Sequence, residues 1–138
     1  LGLEGGLHVE PLDGGTLLHM AVEYDEFEIA AWLLDQGADP NARSRIDHDG
    51  FGGQTPLFHA AVTLGAKTER LARLLLDRGA DANARATFRK QLVDMGDAQK
   101  ERMREYRHVT PLGFASQFPE PTWVNKAAIE AIKEKGGA

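Results

Sequence analysis

"GGQTPLFHAAVTLGAKTERLARLLLDRGADANAR", residues 52–85, is the stretch that decides the fold. Thr55 suits a helix N-cap, where a hydroxyl accepts an otherwise orphan backbone N–H. Pro56 follows at the first helical position, where its missing N–H costs nothing. Ala60 and Ala61 are small enough to let neighbouring helices approach closely. Leu71, Leu74, Leu75 and Leu76 recur at helical spacing with one face for burial. Gly79 then stands where a left-handed glycine closes a helix. The stretch reads as two short helices and a turn. "GGTLLHMAVEYDEFEIAAWLLDQGADPNAR", residues 14–43, repeats the order with Thr16, Ala21, Ile29, Trp32, Leu33, Leu34 and Gly37. "TPLGFASQFPEPTWVNKAAIEAIKEKGGA", residues 110–138, repeats it more loosely with Thr110, Pro111, Ala115, Ala128, Ile129, Ala131, Ile132 and Gly136. Internal repetition of this kind signals stacked units.

These segments resemble the ankyrin repeat family. The resemblance rests on "TPLFHAA" with "LLLDRGADANA", on "TLLHMA" with "WLLDQGADPNA", and on "TPL" with "KGGA". It implies an all-α solenoid of about three helix-pair repeats in one domain over residues 1–138, with units at about 13–43, 52–85 and 110–138. Hairpins or loops would project from the stack beside a concave binding face, and nearest-neighbour contacts would supply most of the stability. His19 falls at the family's TPLH histidine, which implies a structural polar link. Phe58 and Gly113 hold that place in the other units, with His59 one residue late, so the link is not expected there.

The family period is about 33 residues. Thr16 and Thr55 are 39 apart, and Thr55 and Thr110 are 55 apart. The first junction therefore carries extra residues within "SRIDHDGFGG". The second carries an insertion at about 87–109, "TFRKQLVDMGDAQKERMREYRHV". A smaller excess falls near "TLGAKTER". Phe88, Leu92, Met95, Gln99, Met103 and Tyr106 suggest helical spacing in the insertion, with a helix from Ala98 to Arg107 and a shorter one before it. It carries six basic and four acidic side chains, a net +2 against −7 for the rest of the chain. Its ends replace a short connection, so it should project from the solenoid edge and fold back on it through Phe88, Leu92, Met95 and Met103.

At the far end, Lys133 replaces the third leucine of the second helix, as expected of a unit that closes a stack. "QFPEPTW" carries two prolines, which argue against an ordinary helix–helix turn. Trp32 is expected in the core, in the place of Leu74. Trp123 either seals the end of the stack or stands exposed. Leu7, Val9 and Leu12 either cover the open end of the first unit or are the remnant of an earlier one.

The net charge of −5 disfavours a nucleic-acid partner. The absence of cysteine removes disulfides and thiolate metal sites. No apolar run reaches the length of a membrane span, and no cleavable signal pattern opens the sequence. A cytoplasmic monomer is the expectation. The histidines form no metal spacing, "DHDG" is far short of a calcium loop, and Ser44 and Ser116 lack a nucleophile elbow. "GFGG" reads as turn formers. No cofactor and no catalysis are expected. The chain is read as a non-catalytic protein–protein interaction module, the alternative being a structural or capping fragment of a larger repeat protein.

The family's recognition surface lies on hairpin tips and first-helix faces. By position, that surface brings forward Met20, Glu23, Tyr24 and Asp25, the tip with Ser44, Arg45, Ile46, Asp47, His48 and Phe51, and Thr63, Leu64 and Lys67. The insertion adds Arg89, Arg102 and Tyr106. Phe51, between glycines, either anchors a partner or folds back against the insertion.

Overall fold

The computed structural model describes residues 14–63, 68–93, 101–119 and 121–138. Six α-helices and two strands follow in order: α1 Leu17–Glu23, α2 Phe27–Asp35, α3 Pro56–Ala61, α4 Arg70–Asp77, β1 Ala86–Val93, β2 Glu101–Val109, α5 Pro111–Gln117 and α6 Lys126–Glu134. The helices form three antiparallel pairs. The first helices α1, α3 and α5 pack in one layer, and the second helices α2, α4 and α6 in the other. Leu18, Leu33, Leu57, Leu75 and Ile132 are buried between the layers. Each such side chain contributes about 1.5–3 kcal/mol relative to exposure. Gly37, Gly79 and Gly136 close the second helices at positive φ, as their place in the sequence predicts.

Three ladders tie consecutive segments together; two of them continue into residues 110–138 and the third ends at His108 of β2. The Asn41 side chain donates to Gly79 O at 2.9 Å and accepts from Asp81 N at 2.7 Å. Asn83 repeats this with Gly136 O at 3.1 Å and Ala138 N at 2.9 Å. Arg43 donates to Arg85 O, and Arg85 to His108 O. Arg78 pairs with Asp35 at 2.7 Å, and Lys135 with Asp77 at 3.7 Å. Exposed ion pairs of this kind add little energy, but they repeat the register set by the asparagines.

The expected all-α architecture needs one correction. The insertion is an antiparallel β-hairpin, and the segment read as a helix over Ala98 to Arg107 is strand from Glu101 onward. The shorter helix before it is replaced by β1 as far as Val93, and Met95 and Ala98 to Lys100 lie outside the described residues. The misreading has a physical source. Residues four apart, such as Phe88 and Leu92, share a face in a strand as well as in a helix. The register pairs Phe88 with Tyr106, Arg89 with Glu105 and Lys90 with Arg104. A bulge near the base puts His108 at φ 51°, where its N–H takes the Thr87 hydroxyl as acceptor.

The hairpin does fold back on the stack. Phe88 and Tyr106 are buried and stack at 5.4 Å. Phe88 meets Phe58 of α3 at 5.5 Å and Phe114 of α5 at 4.9 Å, both edge-on. Met103, expected to pack with them, is exposed instead, because it lies one residue out of phase with the inward face. The first junction leans on the same hairpin: Gly52 N donates to Thr87 O at 2.8 Å. A Cβ on Gly52, at φ 135°, would lie 2.1 Å from Arg45 O, so only glycine fits that pairing.

Two tryptophans divide. Trp32 is 41% exposed, which corrects its expected core place. It sits with Ile29 on the outer face of α2, which no described helix covers. Trp123, in a short 3₁₀ turn over Pro121–Trp123, stacks on Phe118 at 5.7 Å and is partly buried against the core.

Candidate binding groove

His19 shows how the first unit orders the chain at its junction with the second. Thr16 caps α1 while His19 Nδ1 accepts the Thr16 N–H at 3.0 Å. Nδ1 is thereby an acceptor, so Nε2 carries the proton and donates to Gln54 O at 2.7 Å. One imidazole thus closes a helix cap and holds the next unit's entry. Unit two, with Phe58 in that place, leaves the buried Thr55 hydroxyl without a hydrogen-bond partner among the described residues. Phe58 instead supplies the ring on which the hairpin rests.

Between the first helices and the hairpin lies a groove of about 500 Å³. Glu23 lines it from α1, His59 and Val62 from α3, Phe114 from α5, Lys90 from β1 and Met103 from β2. A smaller recess of about 300 Å³ adjoins it between the 44–54 loop and the hairpin. The His59 ring meets His19 edge-on at 5.6 Å. Burial first, then the electrostatic influence of His19 and Lys90, push its pKa down to about 3, so it is neutral at neutral pH. Burial also lowers the Lys90 pKa, against the opposing influence of Glu23.

The expected contact residues fall into different places. Tyr24 is 65% exposed at the end of α1 and Ile46 is 58% exposed on the first loop. Arg45 and His48 are exposed on that loop, His48 lying 3.6 Å from Asp49. Asp47 folds the loop tip by accepting from the Phe51 and Asp49 N–H groups, and these bonds hold its carboxyl below the usual range. Phe51 folds back: the Arg89 guanidinium lies 3.8 Å from its ring centroid and that of Arg107 at 5.4 Å. Arg89 also approaches Glu105 at 3.7 Å and Asp49 at 4.0 Å. Loop and hairpin are therefore joined by a cation–π contact rather than left apart. Tyr106 is fully buried, so its ring is core and not contact surface. Arg102 pairs with Leu92 in the hairpin register. Lys67 and Leu64 lie outside the described residues.

Sequence reasoning passed over His59 and Lys90 as site residues. The signal for Lys90 was its spacing of two from Phe88, which puts both on one strand face, and it is readable only once the segment is known to be β.

A sequence model of the family described as ankyrin repeats in three copies matches residues 3–86. The chain belongs to the ankyrin repeat family. Comparison with curated proteins of established function finds no match. The ankyrin match covers the first two helix pairs and ends where β1 begins; the hairpin and α5–α6 lie beyond it. Ankyrin repeats are a non-catalytic scaffold, and this ankyrin chain is a protein-interaction module of that general kind. Among the described residues no group of metal-ligating side chains is gathered, and no helix is long and apolar enough to cross a membrane.

Proposed function

We propose that the module recognises a protein partner along the groove between its first helices and the 86–109 hairpin, and that residues 110–138 are a third ankyrin unit in one domain with the rest. The groove itself carries the reading of the site. It is built partly from a segment the shared repeat pattern does not require, and it gathers a neutral histidine, a lysine and a glutamate beside exposed Met103. Arg45, Phe51 and Arg89 line the adjoining recess, Ile46 and His48 are exposed on the same loop, and Tyr24 stands next to Glu23 on the other side. The Asn83 bridges, which copy those of Asn41, support the third unit.

The test is photo-crosslinking from benzoylphenylalanine placed at Met103 or Tyr24, with exposed Glu130 on α6 as the reference position. One common adduct from the first two positions and none from Glu130 is expected. Equal capture from all three would sink the proposal.

A second reading, a structural segment within a longer stack, is favoured by the outer face of α1 and α2. Leu17, Ile29 and Trp32 are 37%, 51% and 41% exposed. Their counterparts one unit on are Pro56 and Leu71, both buried, and Leu74, partly buried. Fusing a further ankyrin unit ahead of this face should raise the melting midpoint if it docks a repeat. An unchanged midpoint refutes that reading.

A further inference from the structure

The groove wall carries a cation, Lys90, with no hydrogen-bonded or ion-paired carboxylate among the described residues, and a second, Arg104, stands beside the groove without lining it. Lys90 lines the groove, is partly buried, and makes no hydrogen bond or ion pair among the described residues. The register sets Arg104 directly across from it, on the hairpin face shared with Phe88 and Tyr106. The Arg104 guanidinium lies 5.7 Å from the Tyr106 ring centroid and is likewise without a carboxylate among the described residues. The neighbouring cations are committed elsewhere. Arg89 is held by Phe51, Glu105 and Asp49, and Arg107 by Glu105.

An ammonium drawn out of water without a counter-charge is unfavourable, and a carboxylate brought to it forms a strong charge-assisted bond. His59 in the same groove is neutral, so it offers a hydrogen bond without adding charge. Glu23 on the opposite wall repels a second acid at its own end of the groove. The groove is thus polar along its width, positive on the hairpin side and negative on the α1 side.

We propose that Lys90 and Arg104 dock a carboxylate side chain of an extended acidic segment of the partner protein, seated in the groove beside His59. This rests on the groove being the recognition surface, and adds the chemistry of what it recognises.

Fluorescein-labelled hexaglutamate, titrated into the full chain at low salt and followed by anisotropy, tests it, with labelled hexalysine as the opposite-charge probe. Hexaglutamate should bind and hexalysine should not. Lys90→Met should weaken hexaglutamate binding about tenfold, the size expected for one charge-assisted contact. Lys126→Met removes the same charge from exposed α6 and should change it less than about twofold, since a remote surface charge is screened. Glu23→Gln should tighten binding, a gain that unfolding cannot mimic, and Lys90→Arg should retain it. Equal losses from the Lys90 and Lys126 variants, stronger binding of hexalysine, no binding of hexaglutamate, or preference for a phosphoserine hexapeptide each overturn the carboxylate assignment. If Met103 crosslinks still form in those cases, the groove remains the recognition surface and only its chemistry was misassigned. If they too are absent, the groove reading itself fails.

Discussion

Replacing Phe88 by alanine tests whether the hairpin is part of the core or an appendage. Phe88 is 3% exposed and touches three rings: Phe58 at 5.5 Å, Tyr106 at 5.4 Å and Phe114 at 4.9 Å. Deleting a buried phenyl removes its transfer free energy and leaves a cavity, together about 3–5 kcal/mol. With α3, α5 and the partner strand all supplying walls, collapse is limited, and about 4 kcal/mol is expected. Unfolding entropy of about 2.1 cal/mol/K per residue over 138 residues converts this to a fall of roughly 14 °C in the melting midpoint. Urea titration followed by circular dichroism measures the free energy, and a thermal scan the midpoint. A surface phenylalanine on a freely projecting hairpin would cost less than about 0.5 kcal/mol, so the two arrangements give well-separated results. A cycle with Phe114→Ala adds a second check. The edge-on pair should show coupling of about 1 kcal/mol. A loss below about 1 kcal/mol in Phe88→Ala would refute the docking of the hairpin on α3 and α5.

Three further outcomes follow from the same geometry. Tyr106→Phe keeps the buried ring and removes a hydroxyl with no hydrogen-bond partner among the described residues, so stability in urea should rise by about 1 kcal/mol; a loss would show that the hydroxyl is bonded. His59 has a folded-state pKa of about 3 against an unfolded value near 6.5. The unfolded chain therefore binds the extra proton, and the stability tied to the neutral ring is complete above about pH 6.5 and lost as pH falls toward 3. Between pH 7 and pH 4 the wild type should lose more stability than His59→Gln, and parallel stability curves would count against the neutral, partly buried ring. Asn83→Ala cuts two bonds to residues 136 and 138 and should cost about 1–2 kcal/mol, with faster hydrogen exchange in α6 than in α1 and α2; uniform exchange would argue against a local tie.

The helix pairs were legible because each carries its own instructions. Thr16 and Thr110 accept backbone N–H groups as caps, Pro56 and Pro111 open their helices, and the glycines after the second helices adopt the positive φ that ends them. All of these act within a few residues of chain, so their meaning survives without knowledge of distant partners. His19 was legible in the same way, although its link to Gln54 O crosses to the next unit. Trp32 was misplaced because a helical stripe reports which residues are apolar, not whether a neighbouring helix covers them.

What the sequence determined by itself was the repeat, its register, and the place where an insertion interrupts it. Tertiary structure alone decided what that insertion is and what it makes. A period of four cannot separate strand from helix, and the choice fell to the stack, which takes the chain out at Ala86 and back at Val109, side by side, and offers Phe58 and Phe114 as a bed for one strand face. The same docking buried Tyr106, drew Phe51 under Arg89, and turned Lys90 into the groove toward His59. None of those neighbours is near in sequence, and the groove they form exists only where the hairpin closes over the first helices.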